Sequence, residues 1–232
     1  MHPIQKTARL AGLLYLLMAP FGIFGIMYVP STLIVPGDAA ATANNIMASE
    51  SLFRLGIVSA LIVQLIQILV VLVLYKLLRP VNKNLAVLMV IFILVGVPIA
   101  MLSELCRFAV LLLLSGTDYL AAFTADQLYA QVMQFLDLRE YGINIAGIFW
   151  GLWLFPMGYL VFKSGYLPRI LGILLMIGCF GYLIESVSFL LFAKFDVSIS
   201  LYTFWGEVLF PLWLLIKGVN VEQWEECAIK SA

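Results

Sequence analysis

Residues 52–75 read LFRLGIVSALIVQLIQILVVLVLY. One charge, Arg54, stands near the beginning of the stretch, and no residue from 55 to 75 carries another. A bilayer's hydrocarbon core is about 30 Å thick and takes about 20 helical residues, so this run is long enough to cross it. It lacks the period-two alternation of a barrel strand, and an open strand edge cannot face lipid, so it crosses as a helix. Five further runs have the same character: Leu10–Val29, Leu85–Leu114, Gly142–Phe162, Ile170–Phe192 and Ser198–Ile216. The fold class that follows is all-α and polytopic. Six transmembrane helices are expected in one bundle, with residues 1–232 forming a single transmembrane domain.

Composition points the same way. Of 232 residues, 64% are hydrophobic and 11% charged, against about half and about a quarter in soluble domains. Thirteen basic residues balance thirteen acidic ones, which leaves no basic field for nucleic acid. The expected partner is the lipid bilayer, with no nucleic acid. Cys106 and Cys179 lie inside apolar runs, Cys227 lies near the C-terminus, and His2 is the one histidine. That set gives neither a disulfide framework nor ligand spacing for zinc, haem or di-iron, so no metal and no cofactor is expected. Lys6 and Arg9 before the first run, with the small residues Ala39 to Ala43 after it, have the outline of a secretory signal. An apolar stretch of about twenty residues exceeds the usual signal core of about 7 to 15, so an uncleaved first helix is expected.

When loops are assigned alternately to the two sides, nine basic residues fall with the N-terminus: Lys6, Arg9, Lys76, Arg79, Lys83, Lys163, Arg169, Lys217 and Lys230. Lys and Arg concentrate in cytoplasmic loops, so the expected orientation is N-in/C-in. Arg54, Arg107, Arg139 and Lys194 then belong to the outer half, as do Asp196 and the other acidic residues except Glu222, Glu225 and Glu226. In the first outer connection Pro36-Gly37-Asp38 predicts a turn, with Asp38 capping an Ala-rich helix that runs toward Glu50. In the second, Leu128, Val132, Phe135 and Leu136 recur at i, i+4, i+7 and i+8, one face of a helix. An amphipathic outer helix is expected before the fourth span, either along the interface or extending that span.

The ionisable residues inside the spans bear most on function. A charge at the centre of an inserted helix costs about 2.5 to 3.5 kcal/mol, so such residues face a bundle interior or cavity and are paired. Glu104 and Arg107 are three apart, on one helix face. Glu185 lies in the fifth run and Glu207 in the sixth, Arg54 opens the second, and Asp137 and Arg139 precede the fourth, where Asn144 follows. The expectation is a water-accessible ligand-binding pocket open to the outside. Arg54 and Arg107 would face an anionic group and Glu104, Glu185 and Glu207 a cationic one, with Asp137, Arg139 and Asn144 alongside. The plainer alternative is a set of ion pairs that fixes helix packing, since each apolar residue contributes about 0.3 to 0.6 kcal/mol to insertion and spans this rich in Leu and Ile can carry a charge or two. Gly147-x-x-x-Gly151 predicts a close-packing face, toward a helix of the same chain or as a homodimer seam.

The strings "ARLAGLLYLL", "LIVPGDAAATANNIMASESLFRLG", "LYKLLRPVNKNLAVL", "FKSGYLPRILG" and "LLIKGVN" resemble the prokaryotic membrane proteins grouped as the domain of unknown function 4386. The resemblance runs from Ala8 to Asn220. It implies a multi-pass protein of a prokaryotic cell membrane, joins the first outer loop and Arg54 into one unit, and carries over no catalytic residue. Three classes of function remain. One is binding or transport of a small polar or amphiphilic solute. Another is an accessory or sensor subunit that packs against a membrane-protein partner or a second copy. The third, metal-independent intramembrane catalysis with Glu104 or Glu185 as acid or base, lacks a histidine partner or an activated serine.

Overall fold

A computed structural model describes residues 2–192 and 199–230. Lys194, Asp196 and Ser198 lie outside the described residues. Every regular element among the described residues is helical. Helix α1 (Pro3–Gly22) runs through a π-helical segment, Ile23–Tyr28, into α2 (Val29–Leu33), and α3 (Ala39–Ala48), α4 (Glu50–Leu78) and α5 (Lys83–Leu113) follow. After a 3-10 turn at Asp118–Ala122 come α6 (Ala125–Lys163), α7 (Arg169–Leu191), α8 (Ser200–Thr203), α9 (Trp205–Ile216) and α10 (Val221–Lys230).

Five helical stretches are long and apolar enough to cross a membrane: Pro3–Leu33, α4, α5, α6 and α7. A sixth arises if Ser200–Ile216 and Val221–Lys230, which meet at 104°, are taken together. Large apolar side chains such as Leu65, Leu102, Leu105 and Ile177 are exposed along these helices. Soluble monomers rarely leave contiguous apolar patches of that extent in water, whereas a bilayer is their natural solvent. This is the make-up of a multi-pass membrane protein.

The amphipathic outer helix turns out to be the first part of α6. No Pro or Gly interrupts residues 125–141, so nothing ends the helix before the fourth apolar run. Its 39 residues measure about 58 Å at 1.5 Å per residue, well beyond a bilayer core. Thr124 and Gln127 form a reciprocal capping box at its start: the Thr124 N–H donates to Gln127 Oε1 (2.9 Å) and the Gln127 N–H to Thr124 Oγ1 (3.3 Å). The first outer connection follows its sequence: Gly37 takes a φ of +78°, and the Asp38 carboxylate accepts the Ala41 N–H at 2.8 Å to cap α3. The sixth apolar run is divided at Phe204 into α8 and α9. Helix α10 was not anticipated, although Asn220 caps it through the Gln223 N–H at 3.2 Å.

Two compact units make up the chain. One comprises Met18–Leu65 and Pro98–Ile143. Its core joins Val29, Leu33, Ile46, Phe53, Ile57, Val110, Leu111, Val132 and Leu136, so the apolar stripe of α6 is buried against its own chain. The other comprises Met1–Leu17, Ile66–Val97 and Asn144–Ala232. Here α6 and α7 approach with backbone almost in contact: a Cβ on Gly158 would lie 2.6 Å from the Gly172 carbonyl oxygen. Gly147 and Gly151 face Ser186 and Tyr182 on the same α7, so the small-residue face is filled within the chain.

Candidate functional site

In the unit built from Met18–Leu65 and Pro98–Ile143, the site begins with a carbonyl that its own helix abandons. In the π-helical segment the Val29 N–H donates to Phe24 O, five residues back. The Gly25 carbonyl thereby loses its usual i+4 donor, and its i+5 residue, Pro30, has no N–H to offer. Such a buried acceptor must find another partner. Arg107 on α5 supplies it, with Nη1 donating to Gly25 O at 3.3 Å. The absence of a side chain at Gly25 lets α4 come close, since a Cβ there would lie 2.7 Å from Gly56 O.

Three charges meet around that guanidinium. Arg107 Nη1 lies 3.3 Å from Glu104 Oε2, one turn away on α5. Arg139 on α6 forks onto the other carboxylate oxygen, with Nε at 2.9 Å and Nη2 at 2.7 Å from Glu104 Oε1. The Arg107 and Glu104 side chains are 1% and 3% exposed and Arg139 is 13% exposed. The Phe53 ring lies 4.9 Å from the Arg107 guanidinium carbon, a cation–π contact. One carboxylate thus serves two guanidiniums, and these three side chains sum to +1. Arg107 Nη2 is buried without a hydrogen-bond partner among the described residues.

The remaining expected site residues lie elsewhere. Arg54 pairs with Glu50 at 2.6 Å one turn back on α4, and both side chains are more than half exposed. Asp137 is exposed and Asn144 partly buried. Glu185 and Glu207 belong to the other unit. There Glu185 Oε2 accepts the Ser200 N–H (2.9 Å) at the start of α8. Glu207 accepts the Tyr15 hydroxyl at 2.8 Å, with Trp153 stacked on Tyr15 at 5.9 Å. The Tyr182 hydroxyl couples electrostatically to the same carboxyl, yet Glu207 Oε1 has no well-aligned hydrogen bond. The expected residues therefore form a buried trio, Glu104, Arg107 and Arg139, and separate polar contacts around Glu185 and Glu207. Sequence reasoning missed the Gly25 carbonyl, Phe53, Tyr15 and Tyr182. Of these only Gly25 lies near a local signal, Pro30, but that proline by itself deprives Ile26 of its i+4 donor, and Gly25 loses its own only through the shift to i+5 bonding.

Residues 10–218 match the model of a family described as a domain of unknown function, DUF4386. The chain belongs to that family. It is 37% identical over 169 residues to an uncharacterized protein of Archaeoglobus fulgidus, a match covering 72% of this chain and 86% of the relative. No solved structure matches it. The matched region of this DUF4386 protein contains both the trio and the Tyr15–Glu207 contact, and begins just beyond Lys6 and Arg9.

Proposed function

We propose that this DUF4386 protein is a six-span, N-in/C-in protein of the prokaryotic cell membrane that binds, for transport, a small polar or amphiphilic solute through an anionic group. The proposed site is the trio Glu104, Arg107 and Arg139 in the outer half. The observation that carries this reading is the unpartnered, buried Nη2 of Arg107 in a set of three side chains with one positive charge in excess. Burying a charged donor without a partner is costly, and an anionic oxygen at that position would relieve the cost.

Arg139→Gln is the informative variant. It removes the excess charge while leaving Glu104 and Arg107 paired and the Gly25 carbonyl satisfied, so the fold should persist. Native mass spectrometry of wild type in mild detergent is expected to show a discrete anionic adduct that Arg139→Gln lacks and Arg54→Gln retains. A bare wild type, or an adduct equally present on folded Arg139→Gln, would remove the solute site. The bond from Arg107 to Gly25 O supports a second reading, in which the charges fix helix packing in an accessory subunit. A bare wild type that co-purifies with a stoichiometric membrane-protein partner would favour it.

Orientation has its own check. In a background without native cysteines, Asp118→Cys in intact cells should react with a membrane-impermeant maleimide, and Gln223→Cys only after permeabilisation. The reverse pattern would invert the topology.

A further inference from the structure

Within the unit containing Ile66–Val97 and Asn144–Ala232, helix α10 is docked on the turn between α4 and α5. The Trp224 indole N–H donates to Leu77 O at 2.9 Å, and the Tyr166 hydroxyl donates to the same carbonyl at 2.9 Å. Burial, then the nearby Cys227, pushes the Tyr166 hydroxyl up, so it remains a donor. The Cys227 thiol lies 3.5 Å from Pro80 O. Trp224 borders two grooves, one of about 380 Å³ and the other of about 280 Å³. Arg79 and Lys83 line the larger, Lys76 and Arg79 the smaller, and no acidic side chain lines either. No ion pair engages Lys76, Arg79 or Lys83 among the described residues. Of the acidic residues of α10, Glu225 pairs at 3.0 Å with His2, which itself lines the smaller groove, and Glu226 lines a separate groove with Lys230.

The cations terminate two apolar stripes. On α4, Leu69, Leu72 and Lys76 follow at i, i+3 and i+7, with Arg79 at i+10 one residue past its end and its N–H still donating to Tyr75 O at 2.9 Å. On α5, Lys83, Val87, Ile91 and Leu94 follow at i, i+4, i+8 and i+11. Both spacings keep one helix face. All eight side chains are exposed. Along each face an apolar surface leads directly to unpaired positive charge. Helix α10 meets the stretch Ser200–Ile216 at 104°, so with Ser200–Ile216 crossing the membrane α10 lies along its surface, where tryptophan and tyrosine favour the headgroup layer.

We propose that the grooves beside Trp224 hold the phosphate of an anionic phospholipid, with Lys76, Arg79 and Lys83 around the headgroup and the acyl chains along the two stripes. A free phosphate compound would use the cations and leave the stripes uncovered, so the stripes favour the lipid. The inference is independent of the solute site. Anionic surfaces attract juxtamembrane Lys and Arg strongly enough that each cation removed should weaken binding roughly fivefold.

The test is native mass spectrometry of delipidated full-length protein titrated with phosphatidylglycerol, phosphatidylethanolamine or glycerol 3-phosphate. Wild type should bind phosphatidylglycerol at least ten times more tightly than phosphatidylethanolamine. The variant K76Q/R79Q/K83Q should lose that preference. A K163Q/R169Q control should keep it, because these cations line neither groove. Equal binding of the two lipids to wild type, or an unchanged preference in the triple variant, would overturn the proposal. Competition by glycerol 3-phosphate at concentrations equal to the lipid would assign the grooves to a soluble phosphate compound and overturn the lipid assignment.

Discussion

Glutamine in place of Glu104 should lower the unfolding free energy by about 3 to 5 kcal/mol, the usual cost of removing one partner from a buried ion pair. The carboxylate accepts from Arg107 on one oxygen and twice from Arg139 on the other. An amide keeps one acceptor oxygen and turns an NH₂ toward a guanidinium. The charge of the trio rises from +1 to +2 with Arg107 only 1% exposed, so solvent screens little of the repulsion. The double variant Glu104→Gln, Arg107→Gln returns the charge to +1 and should recover part of the loss. Full recovery is not expected, because the Gly25 carbonyl then loses its donor, which costs about 1 to 3 kcal/mol for a buried group. Arg139→Gln leaves a balanced pair and should cost less than either. Reversible denaturation in detergent micelles measures all three. A Glu104→Gln protein within 1 kcal/mol of wild type, or no coupling between positions 104 and 107, would show that the trio is not electrostatically balanced by this carboxylate.

Those energetics also show where sequence reading reaches and where it stops. Five of the apolar runs lie in helices long and apolar enough to cross a membrane, as expected where lipid leaves the backbone one way to satisfy its hydrogen bonds. Glu104 and Arg107 were legible as a pair because helix geometry places residues three apart side by side. The same rule pairs Glu50 with Arg54 one turn apart. The expectation that placed Arg54 in a shared pocket left this pairing out, and Arg54 does not join that pocket. Arg139 lies 35 residues from Glu104 and Tyr15 lies 192 from Glu207. No local periodicity encodes such meetings, which depend on how helices pack. Pro30 marks in the chain that a carbonyl of the preceding turn lacks its donor, while the π-helical shift that makes this carbonyl Gly25's and the residue that answers it are not written there. The start of α10 was marked by Gly218, with its φ of +69°, and by the cap at Asn220. This helix is too short to register among long apolar runs, although its Val221, Trp224 and Ala228 stand at i, i+3 and i+7 on one face.

The seam between α6 and α7 should respond to a single methyl group with the opposite sign to an open helix. In an exposed helix Gly→Ala stabilises by about 1 kcal/mol, since alanine has less backbone freedom to lose. Gly158→Ala should instead destabilise. Its new methyl would meet Gly172 O at 2.6 Å and Met176 N at 2.9 Å, both backbone atoms that cannot rotate away. Separating the helices to admit it costs about 1 to 3 kcal/mol by the usual measure of overpacking, and Gly158→Leu should cost more. The cost is compounded in a bilayer. Helices there associate through close van der Waals packing, without a hydrophobic force between them to restore contact once backbones are held apart. Gly22 provides the control: it has helical backbone angles (φ −65°, ψ −48°), and nothing lies within 4 Å of an added Cβ. Gly22→Ala should be neutral or stabilising by up to about 1 kcal/mol. Thermal unfolding of both alanine variants in the same detergent decides the matter. A Gly158→Ala midpoint at or above wild type would mean that α6 and α7 are not held at backbone contact.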